Sequence, residues 1–242
     1  MLMNWVEKAI VNNPVRTTLQ RHFEMPFLMK TGGRMQGGRA LEIGCGRGVG
    51  AELILRFSGA DEVDAFDLDP HMVALAAKRL RRFGDRVRLY VGDVEHIDAE
   101  DGAYDAVFDF AIVHHVPDWR SALREVHRVL KPGGLFYAEE VLDKFIHDPL
   151  WRRVLVHPMH DRFSHDGFAA GLEETGFVIV GSREIWGQFA WFVARKPSGD
   201  AARPGEREQA WAGDRAVAVR SSKGGASEEK PNEVVCRRRP TK

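Results

Sequence analysis

Residues 41–48 read Leu41-Glu42-Ile43-Gly44-Cys45-Gly46-Arg47-Gly48. A short strand, Ala40 to Ile43, runs into glycines at alternate positions, and Val49 to Phe57 then follows with helical spacing. Alternate glycines let the backbone turn tightly and approach a ligand closely. The helix behind them offers unpaired amides and a positive dipole end. Alone, the run permits a dinucleotide, a nucleoside or a tight turn with no ligand. Its spacing even allows G-x-G-x-x-A over Gly46, Gly48 and Ala51.

Downstream the same alternation continues. Strand-like runs fall at Glu62–Phe66, Val87–Val91, Tyr104–Phe110 and Leu135–Ala138, with helical runs at Pro70–Phe83 and Trp119–Leu130 between them. Strands alternating with helices predict an α/β fold, a doubly wound parallel sheet covered on both faces. Beyond residue 141 the spacing predicts helices over Phe145–Val156 and Asp166–Thr175, the second capped by Asp166. Phe177–Val180 and Phe189–Ala194 read as two closing strands joined antiparallel through Gly187, with Trp186, Trp191 and Phe192 in sheet packing. Upstream, Trp5, Val6, Ala9 and Ile10 recur at helical spacing, Pro14 opens a second helix, and Phe23, Phe27 and Leu28 continue its apolar face.

Three features narrow the ligand. Asp67 ends the second strand nineteen residues beyond Gly48, where a carboxylate can accept hydrogen bonds from both ribose hydroxyls. Asp93 follows the third strand in Gly92-Asp93-Val94, within reach of an adenine amino group. The run Tyr104-Asp105-Ala106-Val107, His114-His115-Val116-Pro117-Asp118 and Leu130-Lys131-Pro132-Gly133-Gly134 then joins the fourth strand to the fifth.

With these motifs in order over about residues 39–141, the chain resembles the class I S-adenosylmethionine-dependent methyltransferases, and within them the small-molecule group that includes ubiquinone and menaquinone C-methyltransferases. The resemblance implies a Rossmann-like seven-stranded sheet with its last strand antiparallel, and S-adenosyl-L-methionine as cofactor. It implies that Glu42 reaches the methionine amine and that Gly44, Gly46 and Gly48 line methionine and ribose. Asp67 would take the ribose hydroxyls, Leu68 would lie against adenine, Asp93 and Val94 would bind the adenine edge, and Phe110 would lie near the methionine end. Glu42 stands where Asp is commoner, which makes the amine contact longer or bent, and Phe110 is bulkier than many residues at its site.

The chain's 242 residues, 44% hydrophobic, are enough for one domain and appendages. The expected organisation is an N-terminal helical cap over 1–38, a core over 39–197 with an acceptor-side insertion at 143–165, and a disordered tail over 198–242. The tail holds ten Lys/Arg against seven Asp/Glu, which leaves 25 against 28 in the body; a slightly acidic body argues against a nucleic-acid partner, including RNA methylation. Two cysteines make no disulfide framework. Cys45 reads as a packing residue rather than a nucleophile. No secretory signal and no stretch of membrane-spanning length stand in the sequence, so a cytoplasmic protein without a membrane span is expected.

His114, His115 and His165 are the candidate general bases, should the acceptor have to lose a proton. His157, His160, Asp161 and His165 have spacing that could suggest a metal, but other ligands are missing and none is expected. Arg237–Arg239 reads as solvated tail. The expected reaction is in-line methyl transfer to a small apolar or aromatic acceptor, recognised by residues before 38 and by 143–165. Two rival readings stay open: a nicotinamide-dependent oxidoreductase, and a protein that binds the cofactor without turnover.

Overall fold

A computed structural model describes residues 13–147 and 161–198. Trp5 to Ile10, most of the Phe145–Val156 helix, His157, His160, Arg237–Arg239 and the tail lie outside the described residues. The chain forms α1 (Pro14–Leu19), α2 (Met25–Gly32), β1 (Arg39–Ile43), α3 (Val49–Leu53), β2 (Glu62–Asp67), α4 (Pro70–Leu80), β3 (Val87–Val91) and β4 (Tyr104–Phe110). It continues through α5 (Trp119–Val129), β5 (Leu130–Val141), α6 (Asp143–Ile146), α7 (His165–Glu174), β6 (Val178–Ile185) and β7 (Phe189–Arg195).

The strands make one seven-stranded sheet of order β3-β2-β1-β4-β5-β7-β6. β1 to β5 pair in parallel; β7 runs antiparallel to both β5 and β6. β1 lies at the centre, and Ala40, Leu41 and Ile43 are fully buried because helices cover both faces. One apolar cluster joins α5, α7 and the strap around Phe163 to one face; the other joins α2, α3 and α4 to the opposite face. This is the expected Rossmann-like sheet with an antiparallel strand.

The helix starts follow capping chemistry. Asn13 accepts the Arg16 amide at 2.8 Å with Pro14 in the first turn, and Asp69 accepts the His71 amide at 2.9 Å ahead of Pro70. α7 is capped by Ser164, whose Oγ accepts the Gly167 amide at 3.1 Å, not by Asp166, which sits inside the first turn. Ser164 has the extended backbone a cap needs, so the helix begins there.

Two aromatic assignments change. Phe23 does not continue the face of Phe27 and Leu28: it is 68% exposed, whereas Leu28 is buried. Gln20–Glu24 forms one wide π turn between α1 and α2, and the extra backbone rotates the helix phase between these residues. Trp186 is not packed on the sheet. It sits at the β6–β7 turn with φ 57° and is 80% exposed, while Phe192 is buried and Trp191 packs edge-on to Phe27.

At the N-terminal edge of the sheet, one buried carboxylate joins four strands. Asp64 of β2 accepts from Arg39 of β1 at 2.6 Å, Arg88 of β3 at 2.7 Å and the Tyr104 hydroxyl of β4 at 2.7 Å. Asp64 is 2% exposed and would be costly if left unpaired; three donors, two of them cationic, offset that cost.

Candidate functional site

At the opposite, C-terminal edge, a cleft opens above β1, β2 and β3. Gly44, Asp67, Leu68, Asp93 and Val94 line it, together with Asp69, Met72 and Glu95 and the wall Ile112, His115, Val116. The expected glycine loop is shaped for close approach. Gly44 has φ 68°, and a Cβ there would lie 2.3 Å from the Ile112 side chain. The Cys45 amide bonds to the Phe66 carbonyl at 2.7 Å and holds the loop to β2.

Asp67 organises the cleft floor. Its Oδ2 accepts the Gly46 amide at 2.8 Å and its Oδ1 the Asp69 amide at 2.9 Å. An ionised carboxylate has about four acceptor sites, and these amides use one on each oxygen. Asp93 accepts the Glu95 amide at 3.1 Å, which fixes its carboxylate at the end of β3. Leu68 is 41% exposed and presents an apolar flank beside these acids, while Val94 is buried.

Glu42 lies beneath the loop. It is 2% exposed, takes a backbone hydrogen bond from Ala51 at the start of α3, and leaves Oε2 buried with no hydrogen-bond partner. Burial raises its carboxyl well above the ordinary range. A Cβ on Gly50 would meet Glu42 Oε1 at 1.8 Å and the Phe110 ring at 2.6 Å, so the acid, the helix start and the ring are packed together. Gly48 caps α3 and packs it on α4, where a Cβ would meet Leu80 at 2.9 Å. Phe110 is buried with its ring stacked near Phe108, so its side chain belongs to the core. Ala111, next in the chain, takes φ 67°, an uncommon conformation for a residue with a side chain, and swings the Ile112–His115 turn over the cleft.

That turn is held by two acids with no counterpart among the expected site residues. Asp109 accepts the Ile112 amide at 2.8 Å, and Glu140 accepts the Val113 amide at 2.9 Å and the His114 amide at 3.1 Å. Glu140 also meets His114 Nδ1 at 2.7 Å. Asp109 and Glu140 share a hydrogen bond, and burial raises both carboxyls, Glu140 to about 7. Asp109 Oδ2 has no partner unless it carries the proton of that bond. The signal in the sequence is charge inside apolar strands: Phe108-Asp109-Phe110 and Ala138-Glu139-Glu140.

The three candidate histidines separate. His115 lines the cleft; His114 is buried behind it, ring centroids 4.2 Å apart, and Arg162 donates to the His114 carbonyl at 2.6 Å. His165 is not brought to the cleft: it meets Asp166 and Ser182, each at 3.1 Å, and stacks on Phe192 under β6 and β7. Its place at the start of α7 turns it toward those strands. Asp161 pairs with Arg120 at 2.8 Å, and no group of metal-ligating residues stands among the described residues. Cys45 is buried, and burial raises its thiol, which makes it a packing residue.

A second acidic pair lies on the other face of β5. Glu139 receives Arg16 of α1 on both oxygens at 2.9 Å, Arg16 also pairs with Glu24, and Glu24 hydrogen-bonds Glu139. Burial raises the Glu24 carboxyl to about 9. The unfolded chain releases that proton near the ordinary carboxylate value, while the folded chain keeps it. Stability from this group is therefore present below about pH 4.5 and lost as pH rises toward 9. Glu24→Gln is expected to flatten that fall, by up to about 1.4 kcal/mol per pH unit. Urea unfolding from pH 5 to pH 9 reads it, and an unchanged slope in the variant would contradict the assignment.

The sheet is Rossmann-like, with antiparallel β7 setting it apart from the 3-2-1-4-5-6 dinucleotide sheet. Residues 41–138 match the model of the Methyltransferase domain family. The "Probable phthiotriol/phenolphthiotriol dimycocerosates methyltransferase 2" of Mycobacterium ulcerans is 34% identical over 145 residues, 57% of this chain and 55% of that one. Sterol 24-C-methyltransferase of Yarrowia lipolytica is 35% identical over 43% of this chain and 28% of its own length. Ubiquinone biosynthesis O-methyltransferase of Xanthomonas axonopodis pv. citri is 36% identical over 42% of each chain. The chain thus spans between 28% and 55% of these relatives. Among solved structures, an S-adenosylmethionine dependent methyltransferase from Mesorhizobium loti matches with TM-score 0.58 at 20% identity, over 70% of this chain and 96% of that one. The [4+2]-cyclase SpnF matches with TM-score 0.62 at 21% identity, over 72% and 80%.

Proposed function

We propose that this chain transfers a methyl group from S-adenosyl-L-methionine to a small apolar or aromatic acceptor by in-line displacement. The observation that carries this reading is the cleft in which Asp67 and Asp93, at the ends of neighbouring strands, face the close-approach loop at Gly44. Two of the relatives are named for a sterol and for ubiquinone biosynthesis, which supports an apolar or aromatic acceptor. Titration calorimetry with S-adenosylmethionine tests it; no measurable heat of binding at micromolar protein would sink it.

The bound cofactor supplies an electrophilic methyl group on a sulfonium. The residues present fit it: Asp67 would accept the ribose hydroxyls, Leu68 and Val94 would flank the adenine, and Asp93 would accept its amino group. Gly44 and Gly46 would let backbone approach the methionine, and the buried orphan oxygen of Glu42 would face its amine. His115 stands at the cleft wall as the candidate base, with His114 and Glu140 behind it as positioning residues. Residues 1–38 and 143–165 would set the acceptor.

Glu42 makes a specific prediction. Burial raises its carboxyl well above the ordinary range in the free protein, and an arriving ammonium favours the ionised form. Donor binding is expected to release up to about one proton at pH values where the free carboxyl is protonated, and to tighten as pH rises from the ordinary carboxylate range toward its raised value. Calorimetry in buffers of different ionisation heat measures the release, and Glu42→Gln should abolish it. Equal heats in all buffers for the unmodified chain would refute it.

A second reading has one observation behind it. The same fold serves the [4+2]-cyclase SpnF, so the architecture alone does not dictate methyl transfer. Donor binding without turnover across an acceptor panel would favour that reading.

A further inference from the structure

α1 and the π turn that continues it are amphipathic in the reverse sense. Arg16, Gln20 and Glu24 point into the protein; Val15, Leu19 and Phe23, also spaced by four, point out with exposures of 68%, 43% and 68%. A surface helix ordinarily does the opposite. The orientation is not a loose one. Arg16 Nη2 donates to both oxygens of Glu139 at 2.9 Å and Nη1 pairs with Glu24, so rotating the helix to bury its apolar side would break a buried ion cluster. The ion cluster therefore holds the apolar stripe outward, and a committed apolar stripe marks a contact surface.

The segment that carries the stripe gives the partner's charge. From residue 13 to residue 34 the exposed ionic side chains are Arg21, Lys30 and Arg34, all basic, with His22 beside them; the single acid, Glu24, is buried. Arg16 and Glu139 place the start of the stripe at the C-terminal edge of the sheet, the edge on which the cleft opens. A second copy of this chain in a two-fold contact would bring these basic residues against their own equivalents, which disfavours it. No helix among the described residues is long and apolar enough to cross a membrane.

We infer that this face docks the protein on a lipid bilayer carrying anionic headgroups, with Val15, Leu19 and Phe23 in the acyl boundary and Arg21, Lys30 and Arg34 at the headgroups. The surface stands independently of methyl transfer. That reading only supplies its use: an apolar acceptor would reach the cleft from the bilayer.

Co-sedimentation of the full chain with phosphatidylcholine vesicles, with and without phosphatidylglycerol, tests it. Binding is expected to be about tenfold or more tighter with phosphatidylglycerol and to weaken with added salt. Leu19→Ser with Phe23→Ser should lower it by about a hundredfold while circular dichroism and cofactor binding stay as in the unmodified chain. Lys30→Glu with Arg34→Glu should remove the phosphatidylglycerol preference and leave the stripe intact. The proposal is overturned if the unmodified chain stays in the supernatant with both vesicles, or if either double variant sediments as the unmodified chain does. It is also overturned if ultracentrifugation shows a dimer that the Leu19, Phe23 variant dissolves, since the stripe then meets a second copy.

Discussion

Asp67→Ala is expected to lower affinity for S-adenosylmethionine and for its demethylated product by about a hundredfold or more. Two hydrogen bonds to an ionised acceptor contribute roughly 3 kcal/mol or more together, which sets that factor. The substitution also frees the Gly46 and Asp69 amides, now held at 2.8 and 2.9 Å, so the loop itself loosens. Asp67→Asn separates the two effects. Its amide oxygen can still hold one of those amides, but its NH2 group opposes the other donor, so affinity should fall between the alanine variant and the unmodified chain. Calorimetry measures both, with a thermal melt to show that the fold persists. Alanine-variant affinity within about threefold of the unmodified chain would remove Asp67 from the cofactor site.

Trp119→Ala is expected to cost about 3–5 kcal/mol of stability, the range for a large aromatic lost from a core. Trp119 is 1% exposed, its ring lies 4.9 Å from Phe163 and 5.9 Å from Phe168, and Nε1 donates to the Asp161 carbonyl at 3.0 Å. Gly171 of α7 approaches so closely that a Cβ there would meet the ring at 2.4 Å. The indole thus ties α5, α7 and the Asp161–Phe163 strap together. Urea titration should show a lower midpoint with an unchanged slope. A loss below about 1 kcal/mol would mean that α7 closes over the gap, against the close packing described.

The legible part of this molecule was its local chemistry. The strand–glycine–helix unit at 40–57, Pro14 at a helix start and the closing hairpin through Gly187 each show in a few consecutive residues. Asp67, Leu68, Asp93 and Val94 are legible because each ends or follows a strand at a characteristic spacing, and they line one cleft. The acids that hold the cleft are not. Val113 and Glu140 are 27 residues apart, and the pair that holds α1, Arg16 and Glu139, is 123 apart; no local period records such pairs. The outward turn of Phe23 is not legible, because the π turn at Gln20–Glu24 shifts the phase that spacing assumes. His165 is not separable from the other two histidines by residue type; its place at the start of α7 sets it against Ser182 and Phe192 instead of the cleft.

The Asp64 junction has a consequence for how this protein tolerates change. It gathers β1, β2, β3 and β4 at one end of the sheet, while the cleft and its glycine loop occupy the other. Anchoring and recognition therefore share strands but no side chains. Substitutions along the cleft rim can accumulate, in a laboratory library or over generations, without drawing on the residues that keep those four strands in register. The molecule is a fixed base with an interchangeable lip, and a redesign of its ligand preference should start from the lip and leave Arg39, Asp64, Arg88 and Tyr104 untouched.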